Sequence, residues 1–191
     1  MRRFHIVTIT AVILGAAPAT ARAQMQPAAP QTFTLSGNGV RGYQNIQRNL
    51  LEAAEKMPEA DYTFKPTADV RPFGQLVAHV ALSQFGTCAA LKGETAGPHK
   101  EDKEETARTK AELVSLFKES TAYCDPVLTA LKDEDMATLT KSGQNQVAKG
   151  LFLLGTVAHG NEMYGTMSVY LRLKGIVPPS TERQNAAKKS Q

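Results

Sequence analysis

The chain has 191 residues, 42% of them apolar, with no Trp and few other aromatics. That suits one cored domain with extensions and offers no stacking platform for bases. The formal charge of +4 comes from 22 basic and 18 acidic residues. Three of the basic ones, Arg2, Arg3 and Arg22, fall in residues 1–23, and without them the balance is near +1. Nothing in the charge therefore calls for nucleic-acid binding.

Residues 1–23 have the form of a signal peptide. Arg2 and Arg3 form a basic n-region, Phe4–Ala17 is an apolar run, and Ala21-Arg22-Ala23 is a small-x-small cleavage site. Cleavage after Ala23 predicts a periplasmic or secreted product with no membrane attachment. An uncleaved anchor is the competing reading, but the apolar run is short of the roughly 20 residues a span needs. Two cysteines, Cys88 and Cys124, remain. In an exported chain an even count favours a disulfide over two buried thiols.

Residues 24–38 read as a flexible lead, opening with Gln-Met-Gln-Pro-Ala-Ala-Pro and ending in a turn cluster at Ser36–Gly39. Ser36 or Asn38 could cap the first helix, expected over about Val40–Lys56 from apolar residues spaced near 3.6. An irregular link follows, whose Tyr62 and Phe64 should fold back on the bundle end. Pro72 opens the second helix, which runs to Lys92 and stops at Gly93. His79 sits in its middle, at the edge of the face made by Phe73, Leu76, Val77, Val80 and Gln84. Gly93–Asp102 reads as a solvated loop with an exposed His99. The mixed charges of Lys100–Lys110 read as the frayed start of the third helix.

The third helix carries Leu113, Leu116, Phe117, Tyr123, Val127 and Leu131, with Pro126 expected to kink or break it. Lys132–Gly143 reads as a polar connection. The last helix is expected from about Asn145 to Lys174, with Gly175 as its cap and Pro178-Pro179 barring continuation. Residues 180–191 read as a disordered basic tail. The prediction is thus four helices over residues 39–179 and no strand.

Three stretches carry a resemblance. They are Asn49–Pro58 leading to Tyr62–Thr67, then Val70–Ala81 (VRPFGQLVAHVA), and Val157–Gly165 (VAHGNEMYG) followed by Val169–Pro179. In order and spacing they resemble the DinB/YfiT-like superfamily of small four-helix metalloenzymes. The resemblance implies an all-α four-helix bundle with an up-down-down-up path. The second and third helices would then be parallel, placing Cys88 and Cys124 at similar heights, where a disulfide is feasible. In an antiparallel hairpin they would lie about a helix length apart.

The resemblance also implies a metal site of three histidines, one on the second helix and two at i and i+4 on the last. His79 and His159 match the first two, and the third position is Met163. A thioether is a poor donor for Zn or Ni and suits Cu(I). Three readings stand open. The site is degenerate and binds no metal; His79 and His159 bind Zn or Ni with another donor such as Glu162 or Gln84; or His79, His159 and Met163 bind copper. Ser83 and Tyr164 could line the pocket, Glu162 could act as a base, and Met136, Met163 and Met167 are core filler in the plainer view. In function the resemblance implies a metal-dependent hydrolase or transferase on an unknown small molecule. The alternative is a noncatalytic bundle that binds a ligand or partner. Exposed helix faces leave room for a homodimer.

Overall fold

The computed structural model describes residues 33–190, so the expected signal peptide and residues 24–32 of the lead lie outside it. The chain forms α1 (Leu35–Lys56), α2 (Phe73–Lys92), α3 (Lys110–Leu128), β1 (Leu139–Ser142), β2 (Asn145–Ala148), α4 (Lys149–Leu173) and α5 (Pro179–Lys189). Among the described residues no helix is long and apolar enough to cross a membrane.

α1 begins five residues before the expected Val40, inside the supposed turn cluster. Thr34 is the cap, its hydroxyl accepting from Gly37 N–H at 3.0 Å. The Asp133 carboxylate accepts from Ser36 N–H at 2.8 Å, so donors that a helix start leaves unpaired are met from a distant turn. Those bonds hold the Asp133 carboxyl below its usual range. Tyr62 and Phe64 do fold back. Tyr62 packs edge-on against Phe73 at 5.3 Å and Phe64 against Tyr170 at 6.0 Å.

α2 ends at Gly93, whose φ of 75° is the left-handed value a C-terminal cap requires. The frayed start expected for α3 is a loop instead. The helix begins at Lys110, fixed by a capping box between Thr109 and Glu112. Lys110 Nζ donates to the carbonyls of Glu55 and Met57 at 2.7 and 2.8 Å, tying this start to the end of α1. α3 runs through Pro126 and stops two residues later, at Leu128.

Two expectations fail in the second half of the chain. The polar connection holds an antiparallel hairpin, Leu139 facing Ala148 and Ser142 facing Asn145, which takes the residues expected to start the last helix. Gly143 turns it at φ 61°. The tail from residue 180 is not disordered; it forms α5. Its sequence is polar all round, and what orders it is contact with the bundle. Tyr164 Oη donates to Ser180 Oγ at 2.8 Å and accepts from Ser180 N–H at 2.9 Å. Arg183 pairs with Glu52, and Lys56 with Glu182.

The path is up-down-down-up. A Cβ at Gly74, early in α2, would lie 3.1 Å from Leu113, early in α3. Cys88 and Cys124, late in both, are bonded with Cα atoms 5.4 Å apart. The two helices are therefore parallel, and the disulfide expected from the resemblance is present. α1 and α4 are parallel likewise, Gly39 facing Leu153 and Ile46 facing Gly160. The buried residues form two apolar clusters, one around Ile46, Phe73, Val77, Phe117 and Leu171, the other around Tyr43, Cys88, Cys124 and Leu153. A buried polar layer lies between them. Gln84 donates to Gln47 at 2.9 Å and accepts from Ser120 Oγ at 3.0 Å, so three helices share one network, in which the buried Gln47 Nε2 alone lacks a partner among the described residues.

At Gly160 the backbones of α1 and α4 come close. A Cβ there would sit 3.0 Å from Ile46 Cγ1 and 3.2 Å from Ile46 Cγ2. Gly160→Val should therefore lower stability by about 2 kcal/mol through overpacking. Gly160→Ala should cost much less, because helix propensity gains offset the shift asked of Ile46. Urea denaturation of the two variants checks this.

Candidate functional site

α2 and α4 bring His79 and His159 face to face. Their Nε2 atoms are 3.1 Å apart, and the rings meet edge-on with centroids 5.1 Å apart. Neither neighbour in sequence dictates this. Ala78 and Val80 turn into the core on either side of His79, which leaves the imidazole half-buried at the cleft.

The orientation of His79 is set from a segment that sequence reasoning set aside as the frayed start of the third helix. His79 Nδ1 lies 2.7 Å from Glu104 Oε2. Arg71 Nε donates to Glu104 Oε1, also at 2.7 Å, and Tyr170 Oη donates to the Arg71 carbonyl at 2.7 Å. Burial alone would raise the Glu104 carboxyl, but the bonds from Arg71 and His79 outweigh it and hold it below its usual range. An ionised Glu104 accepts only, so it fixes the His79 proton on Nδ1. The Nε2 lone pair of His79 then points at His159. Without a cation between them, His159 must carry its proton on Nε2 and donate.

Burial lowers the pKa of His159, and the nearby His79 lowers it further, while Glu162 acts in the other direction. The folded value lies below the ordinary 6.5, so between the two the unfolded chain binds the extra proton. In chelator-treated protein, stability should be full above about pH 6.5 and fall as the pH drops through 6.5 toward the folded value. Thermal melts at pH 7.5 and 5.5 should differ less in His159→Gln than in the wild type.

The pair lies on the wall of an open cavity of about 580 Å³, which Ser83, Thr87, Thr156 and Leu151 also line. The other candidates are elsewhere. Met163 is 8% exposed and belongs to the apolar cluster. It borders a separate cavity of about 610 Å³ with Arg71, Glu104 and Thr166. Met136 and Met167 are buried too. The Gln84 amide is committed to Gln47 and Ser120 and is no spare donor. Tyr164 is bonded to Ser180 and serves α5. Glu162 is exposed on α4. His99 is exposed, as expected. It stacks on Phe85 at 4.9 Å and bonds Asp102 at 3.0 Å.

A metal bound by two imidazoles in tetrahedral geometry separates their nitrogens by roughly 3.3 Å, and the 3.1 Å between His79 and His159 fits that edge. The carboxylate on His79 Nδ1 is the partner that metal-bound histidines usually have. Among the described residues no group of three His, Cys, Asp or Glu side chains converges on one point. The fit is thus to a centre with two nitrogen donors from the protein.

The sequence profile of the DinB superfamily matches residues 43–167. No curated protein matches the sequence. Among solved structures, a DinB-like protein from Bacillus cereus is 12% identical, with 75% of this chain and 95% of that one covered, at a TM-score of 0.63. A DinB-like protein from Bacillus subtilis is 24% identical, with 72% and 92% covered, at 0.58. A mycothiol-dependent maleylpyruvate isomerase is 14% identical, with 69% and 60% covered, at 0.56. At these identities the likeness concerns the fold.

Proposed function

The chain belongs to the DinB superfamily, and from that premise we propose that His79 and His159 hold one divalent metal ion in a hydrolase or transferase acting on a small molecule. The observation that carries this is the pair itself: two Nε2 atoms 3.1 Å apart from two helices, with the far side of one imidazole held by Glu104. A divalent ion bound there supplies a Lewis acid. The rest falls to the chain. Glu104 keeps His79 in the tautomer with a free Nε2, and Arg71 keeps Glu104 ionised. The depressed pKa of His159 keeps it neutral, as a ligand must be. Ser83 offers a hydroxyl to a bound substrate on the cavity side, while the Thr156 hydroxyl is donated to the Phe152 carbonyl at 2.7 Å.

Met163 is what separates this centre from one with three histidines. Buried among Leu76, Tyr170 and other apolar side chains, its thioether adds little for Zn or Ni. Export, taken from the signal-peptide reading, would put the enzyme in the periplasm or outside the cell.

The test is metal content by elemental mass spectrometry on untagged protein with its cysteines oxidised, after exposure to Zn, Ni and Cu(I). About one equivalent is expected, lost in both His79→Ala and His159→Ala. Glu104→Gln should keep the site but weaken it about 10- to 100-fold. Absence of metal from the wild type, or its retention in both histidine variants, would overturn the proposal and favour a noncatalytic ligand-binding bundle.

A further inference from the structure

The cavity beside the histidines does not end at the histidines' neighbours. A second cavity of about 720 Å³ lies next to it along α2. Both are lined by Gly86 and Ala90, and consecutive hairpin residues pass from one to the other, Ser142 in the first and Lys141 and Gly143 in the second. On α2 the lining residues His79, Ser83, Gly86, Ala90 and Gly93 recur every three or four positions, so they form one face. From His79 to Gly93 that face runs roughly 21 Å. A Cβ at Gly86 would meet nothing within 4 Å. The junction between the two chambers is therefore open space at residue 86, which a long side chain could fill.

The chemistry changes along this length. Beside the histidines the walls are apolar or carry uncharged hydroxyls: Val147, Leu151, Phe152, Ser83 and Thr87. Toward the far end Ala96, Pro98 and Leu82 continue the apolar wall, and the charged side chains there are Glu94, Lys100 and Lys141. Glu94 is occupied by the Tyr123 hydroxyl. Lys100 lies 3.6 Å from Glu101. Among the described residues Lys141 has no carboxylate partner. Lys141 is therefore the side chain at this end left free to meet an anion.

We infer that the two chambers form one groove for an extended molecule with an apolar chain and an anionic end, the anion at Lys141 and the opposite end at the histidine pair. The substrate class named here rests on the proposed function only for what happens at the histidines. The binding of the chain does not depend on a metal.

Dodecanoate and dodecanol, both below their aggregation limits, are the probes, with octanoate as a shorter control. Calorimetric titration of the wild type should show dodecanoate binding, dodecanol more than tenfold weaker, and octanoate weaker still. Each buried methylene strengthens binding by about fourfold. Lys141→Glu should weaken dodecanoate more than tenfold and leave dodecanol unchanged. Gly86→Leu should weaken both by blocking the junction. Gly86→Ala serves as the folding control; it should keep binding and melt no lower than the wild type, since Ala favours the helix. Chelator-treated wild type should bind dodecanoate as the metal-exposed protein does, so the groove stands even if the metal reading fails. The proposal is overturned if a folded Gly86→Leu binds dodecanoate normally, or if Lys141→Glu has no effect. Loss of dodecanoate binding on chelator treatment of the wild type also overturns it, because the carboxylate would then sit on a metal at the histidines.

Discussion

Replacing both cysteines, Cys88→Ala with Cys124→Ala, is expected to cost about 4 kcal/mol of folding stability. The bond closes a loop with a sequence separation of 36, and a cross-link of that span removes roughly this much free energy from the unfolded chain in the loop-entropy account. Both residues are fully buried, but Ala fills much of the same space, so the cavity contribution is small. For a domain of this size the loss corresponds to a fall in melting temperature of roughly 8–16 °C. The measurement is paired urea and thermal denaturation of the oxidised protein and the double variant. A loss below about 1 kcal/mol would mean that the unfolded chain is already held compact between the two positions. The bond also reports on topology. Its loop contains the whole crossover, and it can close only if α2 and α3 run the same way. Mass-spectrometric detection of the Cys88–Cys124 peptide pair in protein produced under oxidising conditions would therefore test the path of the chain.

The helices and their ends were readable because their causes are local. Gly93 and Gly175 stop α2 and α4 at positive φ, and Pro72 sits where α2 starts. The parallel arrangement was legible through the family resemblance, and the disulfide followed from it. What was not legible depended on partners distant in sequence. The residues of β1 and β2 include few strong strand formers, and their pairing is stabilised by packing against α2, which no window of residues 139–148 records. α5 carries no apolar stripe of its own. It is ordered by Tyr164, Glu52 and Lys56, which come from α4 and α1. Leu35–Asn38 are helical because Asp133 reaches back to the first amides.

Glu104 is the sharpest case. The crossover offers Glu101, Asp102, Glu104 and Glu105 within five positions, and by composition they are equivalent. Only the fold of the loop turns Glu104 inward to His79 and Arg71 while Asp102 pairs with Arg108 and His99. The available signal was weak: an unpaired mid-helix histidine at a cleft needs an acceptor for its Nδ1 proton, and the crossover is the nearest acidic segment on the path.

Met163→His is expected to strengthen metal binding by about 100-fold or more. Residue 163 lies one helical turn beyond His159, so its side chain leaves α4 on the same face. A third imidazole at that spacing would complete a three-nitrogen donor set of the kind that holds Zn in open sites. It would also replace a soft donor with a borderline one, shifting preference away from Cu(I). The substitution has a cost. Met163 is part of the apolar cluster, and a polar ring there forfeits packing, so metal-free variant should melt several degrees below the wild type while the loaded variant recovers through linkage to binding. Competition titration with a chelator of known affinity, on the wild type, Met163→His and Met163→Leu, decides the role of the residue. If Leu binds metal as the wild type does and His binds far more tightly, the natural centre is a two-histidine site whose remaining positions are open to water and substrate. If Leu loses Cu(I) selectively, the thioether is itself a ligand and the centre is a copper site. An unchanged affinity in Met163→His would show that this face of α4 does not reach the His79–His159 pair, and the two-donor centre would have to stand on Glu104 and the cavity alone.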